Sequence, residues 1–390
     1  MPKPLLLDLS HTSHTLARTG IQRVARSLQL ALGDGAVAVT HDPHLKAWRV
    51  LRAWEHANLA ISSAARTRGA RWPLAAKLAG RTRRLLGHGG ATLPEHSGLI
   101  EPEVFSPTVA QALPQLLTRT RGPRVAIFHD AIALKFPELS SPATVTRFPA
   151  YLVELLAFDG IAAVSEDSRA TLLDYWRWLG AKDPPPVRAI PLGVDPAGNP
   201  IGYPPPEGAA PVVLSVGSIE GRKNHLALVD ACEELWTRGD RFTLHLVGLA
   251  HAQTGREALA RIRGLQAAGR PLRYDGPVTD HALAAAYSTC GFTVYPSLIE
   301  GFGLPVIESL AHGKPCICSA RGALGESARG GGCVALESVD PRSLAGAIGR
   351  LLGSPAELAA LTTAARNRRF KTWADYAAEL TTWMHGLPRS

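Results

Sequence analysis

Tyr295-Pro296-Ser297-Leu298-Ile299-Glu300-Gly301-Phe302-Gly303-Leu304-Pro305-Val306-Ile307-Glu308 reads as the end of a strand, a glycine-rich turn and the opening of a helix. Gly291 to Tyr295 (Gly-Phe-Thr-Val-Tyr) supplies the strand run. Gly301 and Gly303 allow positive φ and close backbone approach, and Pro305 suits a first helical turn, where its missing N–H costs nothing. The helix is expected to stop at Gly313. Amides left free around Gly303 and Leu304, with the positive end of the helix dipole behind them, make a seat for a phosphate.

Glu300 stands before that helix and Glu308 about one turn inside it, so two carboxylates bracket the amides and are expected to face one pocket. Carboxylates repel phosphate, and their natural partners are hydroxyl groups, which donate strongly to an ionised acceptor. Phosphate flanked by polyols describes a nucleotide sugar. The plainer alternative makes Glu308 a complement to the helix dipole and Glu300 a solvated loop residue. Glu300-Gly-Phe-Gly-Leu-Pro followed by Glu308 resembles the paired-glutamate motif of retaining GT-B glycosyltransferases of family four. That resemblance implies that Glu300 lies at the transferred sugar and that Glu308 binds the ribose.

A chain of 390 residues is too long for one ordinary domain and fits two, each large enough for its own core. The expected fold is α/β, with two doubly wound Rossmann-like domains facing across a cleft, the GT-B fold. Their expected limits are 1–195 for an acceptor domain and 196–371 for a donor domain, with a last helix over 372–390 crossing back to the first. Pro196-Ala-Gly-Asn-Pro-Ile-Gly-Tyr-Pro-Pro-Pro-Glu-Gly208 reads as the linker. Five cysteines at irregular spacings form no C-x-x-C pair and read as buried thiols rather than a disulfide framework. No run approaches the length of a membrane span, and Leu5-Leu6-Leu7 looks like a strand rather than a signal peptide, so a cytoplasmic protein is expected.

The formal charge of +9 admits nucleic acid, anionic lipid or a phosphorylated substrate as partner, and its location decides among them. Between Lys46 and Arg84 ten Lys or Arg stand against one acid, Glu55, within a basic insertion expected over 46–88. Val50, Trp54, Ala57 and Ile61 are expected on one helical face and Leu74, Leu78 and Leu85 on another, beside a stripe of Lys77, Arg81 and Arg84. The segment reads as surface-seeking, which suits a peripheral place on an anionic membrane. His11 and His14, two loop histidines without a third ligand, are expected to be solvated rather than metal-bound.

Thr19-Gly20-Ile21-Gln22-Arg23 opens a helix, and the resemblance places a glycine such as Gly20 near the donor phosphates. His129-Asp130 follows the strand Arg124 to Phe128 at its carboxyl edge, where open parallel sheets bind ligands. The resemblance puts such a histidine near the transferred sugar. Val212 to Val216 begins the second domain and runs into Gly217-Ser218-Ile219-Glu220-Gly221-Arg222-Lys223-Asn224, which is similar to the family's loop carrying Arg and Lys for the donor diphosphate. Arg gives paired contacts and Lys a point charge. In the family the backbone at the Val278 position contacts the base.

Breaking the anomeric bond builds charge on the diphosphate, which Arg222, Lys223 and the amides near Leu304 would stabilise without reorganising. No D-x-D occurs in the chain, so transfer without a metal or other cofactor is expected. The resemblance implies retention of configuration, with Glu300 either an acid/base or a sugar clamp. For His129 the alternatives are a bond to a sugar hydroxyl and backbone support of positive charge at the anomeric carbon. The form of the Arg-Lys loop looks most like bacterial polysaccharide mannosyl- or rhamnosyltransferases, implying a GDP-linked sugar and a glycan or lipid-linked acceptor. Competing readings are another GT-B enzyme, such as a phosphorylase or a nucleotide-sugar epimerase, and a nucleic-acid-binding protein using the basic segment, which leaves Glu300, Glu308 and the Arg-Lys pair unexplained.

Overall fold

The computed structural model describes residues 3–17, 20–61, 69–87, 93–195 and 210–388. The expected linker 196–208, Thr19, Arg66, Arg68 and residue 88 lie outside the described residues. Two compact units emerge: one comprises residues up to Leu134, Ala143–Gly193 and the chain from Trp373, and the other comprises Lys135–Pro142 and Val194–Thr372.

The first unit contains β1 (Leu5–Asp8), α1 (Gly20–Leu32), β2 (Ala36–Asp42), β3 (Ala47–Val50), α2 (Ala53–Ala60), α3 (Leu74–Leu85), β4 (Leu99–Glu101), α4 (Pro107–Arg119), β5 (Arg124–Phe128), α5 (Ile132–Lys135), α6 (Pro142–Glu154), β6 (Gly160–Ala163), α7 (Glu166–Leu179) and β7 (Val187–Ala189). Its sheet runs β3-β2-β1-β4-β5-β6-β7, parallel throughout except that β3 is antiparallel to β2. Strands covered on both faces need apolar residues at every position rather than at alternate ones, which is why Leu5-Leu6-Leu7 and Val125-Ala-Ile-Phe128 are continuous runs. Phe105, Tyr151, Phe158 and Trp176 fill one layer of core, and the indole of Trp176 donates to Leu152 O at 2.8 Å. Ser165 caps α7 by accepting from Ser168 N, while Gly180 ends it in the left-handed region.

The second unit contains β8 (Val212–Val216), α8 (His225–Arg238), β9 (Thr243–Val247), α9 (Arg256–Ala267), β10 (Leu272–Tyr274), α10 (Asp280–Thr289), β11 (Phe292–Tyr295), α11 (Leu304–Ala311), β12 (Cys316–Ser319), α12 (Gly322–Ala328), β13 (Cys333–Leu336), α13 (Pro341–Gly353) and α14 (Pro355–Arg366). The last helix, α15 (Trp373–His385), packs in the first unit against α1. The second sheet is wholly parallel in the order β10-β9-β8-β11-β12-β13. In both units the order reverses beside the first strand, between β1 and β4 and between β8 and β11. That reversal leaves a crevice outside the strand ends, the place where doubly wound sheets take ligands.

The basic segment departs from its expected form. Ala47-Trp48-Arg49-Val50 is a strand, so Val50 cannot share a helical face with Trp54. Arg49 is buried and bonded to Asp42 at 2.9 Å and to Glu55 at 2.7 Å. His14, expected in solvent, is fully buried, 2.9 Å from Glu55 and stacked on Trp72 at 4.0 Å. Burial alone would raise the Glu55 carboxyl, but bonds from Arg49 and His14 hold it at about 2. The single acid of the segment is thus the anchor of a buried ion network. The network ties α2 to the turn after β1, and removing one partner of such a group costs about 3–5 kcal/mol.

Helix α3 packs through its small residues. Ala76 and Gly80 are buried, and a Cβ on Gly80 would lie 2.9 Å from His44 Cβ, too close for any larger residue. Its large apolar residues point the other way: Leu74, Leu78 and Leu85 are 77, 62 and 88 % exposed. Among the described residues no helix is long and apolar enough to cross a membrane.

Candidate functional site

The loops after β8 and β11 meet at the crevice of the second unit. Leu298 N donates to Arg222 O at 2.9 Å, which fixes one loop on the other. Arg222 Nη1 bonds Glu300 Oε2 at 2.7 Å and Arg222 Nη2 reaches Glu220 Oε1 at 2.9 Å, while Lys223 Nζ bonds Glu300 Oε1 at 2.5 Å. The Tyr295 hydroxyl accepts from Lys223 and donates to the same Glu300 oxygen at 2.9 Å. Lys223 also sits over the Tyr295 ring, 4.8 Å from its centre. Tyr295, Lys223 and Glu300 are all buried.

Burial would raise the Glu300 carboxyl, yet Arg222 and then Lys223 hold it down at about 2. Burial works against the Lys223 ammonium and lowers it despite Glu300. The pair stays ionised because the carboxylate has two cations and a phenol donor, more than either charge would find in a lone pair. Two cations are matched by two carboxylates, Glu220 and Glu300. Sequence reasoning quoted Tyr295 and Glu220 but gave neither a role: Tyr295 meets Lys223 across loops seventy-two residues apart, and the bond of Glu220 to Arg222 two positions on depends on how the loop turns.

Beside this cluster the turn into α11 is pinned by Ser327 Oγ, which donates to Phe302 O at 2.7 Å. Gly303 has φ 95° and a Cβ there would lie 2.8 Å from Leu324 Cδ2, so backbone and packing both demand glycine. The amides of Val306 and Ile307 turn back to Gly303 O, Pro305 has none, and the amide of Leu304 heads the helix. The helix stops at Ala311, two residues before Gly313. Glu308 is buried and accepts from the Tyr287 hydroxyl at 3.3 Å. Tyr287 stacks on His312 at 4.7 Å and belongs to the apolar cluster on which Val278 packs, so one side chain links Glu308 to Val278. Ser218 is half-buried in the β8 loop. Glu300 thus meets two cations and a phenol, and Glu308 meets the phenol of Tyr287.

Gly20 and His129 lie in the other unit. Gly20 is exposed at the start of α1 with open space around it. His129 is buried at the end of β5, its Nε2 2.8 Å from Pro102 O and its own carbonyl accepting from Ser168 Oγ at 2.9 Å. Burial pushes its imidazole below the ordinary value, so the ring is neutral at pH 7. Nearby, the crevice between β1 and β4 holds three carboxylates that sequence reasoning missed. Glu103 accepts the amides of His11 and Thr12, each at 2.8 Å. Asp8 accepts the amide and hydroxyl of Ser10 and lies against the fully buried Glu101. Burial pushes Asp8 up to about 6, and burial together with the Asp8 charge pushes Glu101 well above the carboxylate range. The available signal was an acid at the end of each apolar strand.

Residues 204–368 match the family described as Glycosyl transferases group 1. That stretch belongs to the group 1 glycosyl transferases. Over 341 residues the chain is 27 % identical to the serotype-specific mannosyltransferase WbdA of Escherichia coli, covering 81 % of this chain and 38 % of that protein. The chain thus spans about two fifths of the length of that curated relative. Among solved structures, the sucrose-phosphate synthase of Thermosynechococcus elongatus superposes with a TM-score of 0.68 at 21 % identity, over 98 % of each chain. HepE of Anabaena, solved in complex with UDP and glucose, gives 0.69 at 16 % identity over 99 % of this chain and 100 % of that one. The fold is GT-B, two doubly wound units in one chain.

Proposed function

We propose that the second unit of this group 1 family member binds a nucleotide sugar and that the chain is a glycosyltransferase moving a hexose to a glycan or lipid-linked acceptor in surface polysaccharide synthesis. The observation that carries this reading is the ion cluster of Arg222, Lys223, Glu300 and Tyr295 at the strand-order reversal, beside the Gly303–Leu304 helix start. A diphosphate reaching that crevice would draw Arg222 and Lys223 away from their carboxylates, freeing Glu300 for sugar hydroxyls. Glu308 would take the ribose and Val278 the base. Fixed cations would then stabilise the leaving diphosphate, the charge that grows as the anomeric bond breaks. We favour a GDP-linked mannose or rhamnose, retention of configuration and no metal. The first of these draws on the likeness to a mannosyltransferase and the last on the cations already present and the lack of D-x-D. His129 is assigned to the transfer step by family likeness, with its ring held by Pro102 O.

Thermal shift against a panel of nucleotide sugars, with and without EDTA, tests the donor. A ligand at 100 times its dissociation constant adds about 2.7 kcal/mol. GDP-linked sugars should raise the melting temperature most, and EDTA should leave both the shift and the transfer of sugar to acceptor unchanged. A shift that needs magnesium or manganese contradicts the metal-free reading.

The exposed leucines of α3, flanked by Lys77, Arg81, Arg83 and Arg84, support an anionic lipid surface as the partner of the first unit. The small face is spent on packing, and the large apolar face is left for lipid, with cations beside it for headgroups. Co-sedimentation with phosphatidylglycerol vesicles should be lost on changing Lys77, Arg81 and Arg84 to Glu. Equal recovery of both proteins in the supernatant at low salt rejects the lipid role.

A further inference from the structure

Three of the five cysteines meet on one face of the second sheet. Strands β12 and β13 run parallel with Cys316 opposite Cys333 and Cys318 opposite Ala335. Residues two apart in a strand share a face, and so do residues directly opposite across a parallel pair. Cys316, Cys318 and Cys333 therefore present their side chains to the same side of the sheet. Cys316 and Cys318 are fully buried, against Tyr295, Val306, Leu310 and Leu324, directly behind α11. Cys333 is partly exposed at the edge of that cluster.

The surroundings of Cys333 favour its thiolate. The neighbouring Cys316 and Cys318 side chains pull its thiol well below the ordinary value, against its burial. Arg368 donates to Ser327 O at 3.1 Å and to Gly331 O at 3.3 Å, which places its guanidinium beside the turn that leads into Cys333. Cys232 and Cys290 offer a contrast within the chain. Both are buried, and burial pushes each thiol up, Cys290 to about 12. Thiolate character and access select the cysteine that oxidants attack. Among the described residues no group of His, Cys, Asp or Glu suits a metal ion.

We propose that Cys333 is a peroxide-sensitive thiol and that Cys316 resolves its oxidation, linking β13 to β12 by a disulfide. The Cys333 thiolate attacks one peroxide oxygen, the O–O bond breaks, and hydroxide leaves with the electron pair, giving a sulfenic acid. The Cys316 sulfur then displaces the sulfenic oxygen, which takes up a proton and departs as water. In sum two thiols and one hydrogen peroxide give one disulfide and two waters, the sulfurs being oxidised and the peroxide reduced. Neighbouring strands stand about 4.8 Å apart, inside the Cα separation of about 4.4–6.8 Å that a disulfide spans. The register puts Cys316 directly across from Cys333 and Cys318 on the diagonal, so Cys316 is the nearer partner.

The test uses the full chain, freed of reductant, treated with a small molar excess of hydrogen peroxide at neutral pH, alkylated, unfolded and mapped by peptide mass spectrometry. Two of the five thiols should disappear into one intrachain Cys316–Cys333 link that dithiothreitol reverses, with Cys232 and Cys290 still alkylated. In Cys333→Ser, checked for native circular dichroism, the remaining thiols should stay free under the same treatment. The wild-type map stands without the variant should that protein fail to fold. Five free thiols after peroxide, a link through Cys232, Cys290 or Cys318, a link between two chains, or an over-oxidised Cys333 with Cys316 still free would each overturn the proposal.

Discussion

The two units share a strand order and place opposite chemistry at the same topological point. Between β8 and β11, Arg222 and Lys223 are met by Glu220 and Glu300, and every charge has a counter-charge. Between β1 and β4, Asp8, Glu101 and Glu103 gather around backbone amides and hydroxyls, and the Asp8–Glu101 pair retains a proton toward neutral pH. The topology decides where a ligand crevice forms; the side chains on its loops decide what it accepts. A crevice of cations already balanced by carboxylates is set to exchange one anion for another. A crevice of crowded carboxylates is set to hold a proton and to order the loop over it.

The largest expected effect comes from Glu300→Ala. It leaves the Lys223 ammonium buried without its carboxylate, a loss of about 3–5 kcal/mol, so the ligand-free variant should melt well below the wild type. On the proposed reading, nucleoside diphosphate would supply the missing anion and should raise the melting temperature of the variant more than that of the wild type, while turnover should collapse. Equal shifts in the two proteins would show that diphosphate does not reach these cations. Next comes Arg222→Ala, expected to lower kcat by roughly 100-fold, the size of a lost preorganised donor at a developing charge. A change confined to KM would make Arg222 an anchor for the donor and nothing more.

The two crevices should also answer pH in opposite directions. Glu300 is held at about 2, below the ordinary 4.5, so its contribution to stability is complete above that value and is lost as pH falls toward 2. Asp8 is raised from 3.8 to about 6, so its contribution is complete below 3.8 and is lost as pH rises through 6. Asp8→Asn should therefore raise the melting temperature at pH 8, by on the order of 1 kcal/mol in stability, and do little at pH 3.5. A gain of the same size at both pH values would mean that packing, not protonation, sets the effect.

Much of this was legible in the sequence for a physical reason. Strands covered on both faces must be largely apolar, so Arg124 to Phe128 and Val212 to Val216 stood out with their limits intact. The turn at Gly303 was legible because its left-handed backbone admits few residues other than glycine. Arg49 was not, since an arginine in a basic run looks solvated until Asp42 and Glu55, itself bonded to the distant His14, close around it. The leucines of α3 show a different limit. Periodicity put Leu74, Leu78 and Leu85 on one face, but only the close contact of Gly80 with His44 reveals that the opposite face carries the packing. Asp8 and Glu101 were hidden because two acids that share a proton cannot be told from two solvated acids until their burial is known.

Calorimetric titration of GDP and UDP into the wild type and Glu308→Ala tests the donor site most directly. Glu308 is buried and accepts a long bond from Tyr287, and circular dichroism of the variant checks that the fold survives its loss. A charge-assisted bond is worth about 1.5–3 kcal/mol, so the variant should bind nucleoside diphosphate roughly 10- to 100-fold more weakly, with GDP preferred over UDP in the wild type. Unchanged affinity in a folded variant would contradict the placement of the nucleotide at this crevice.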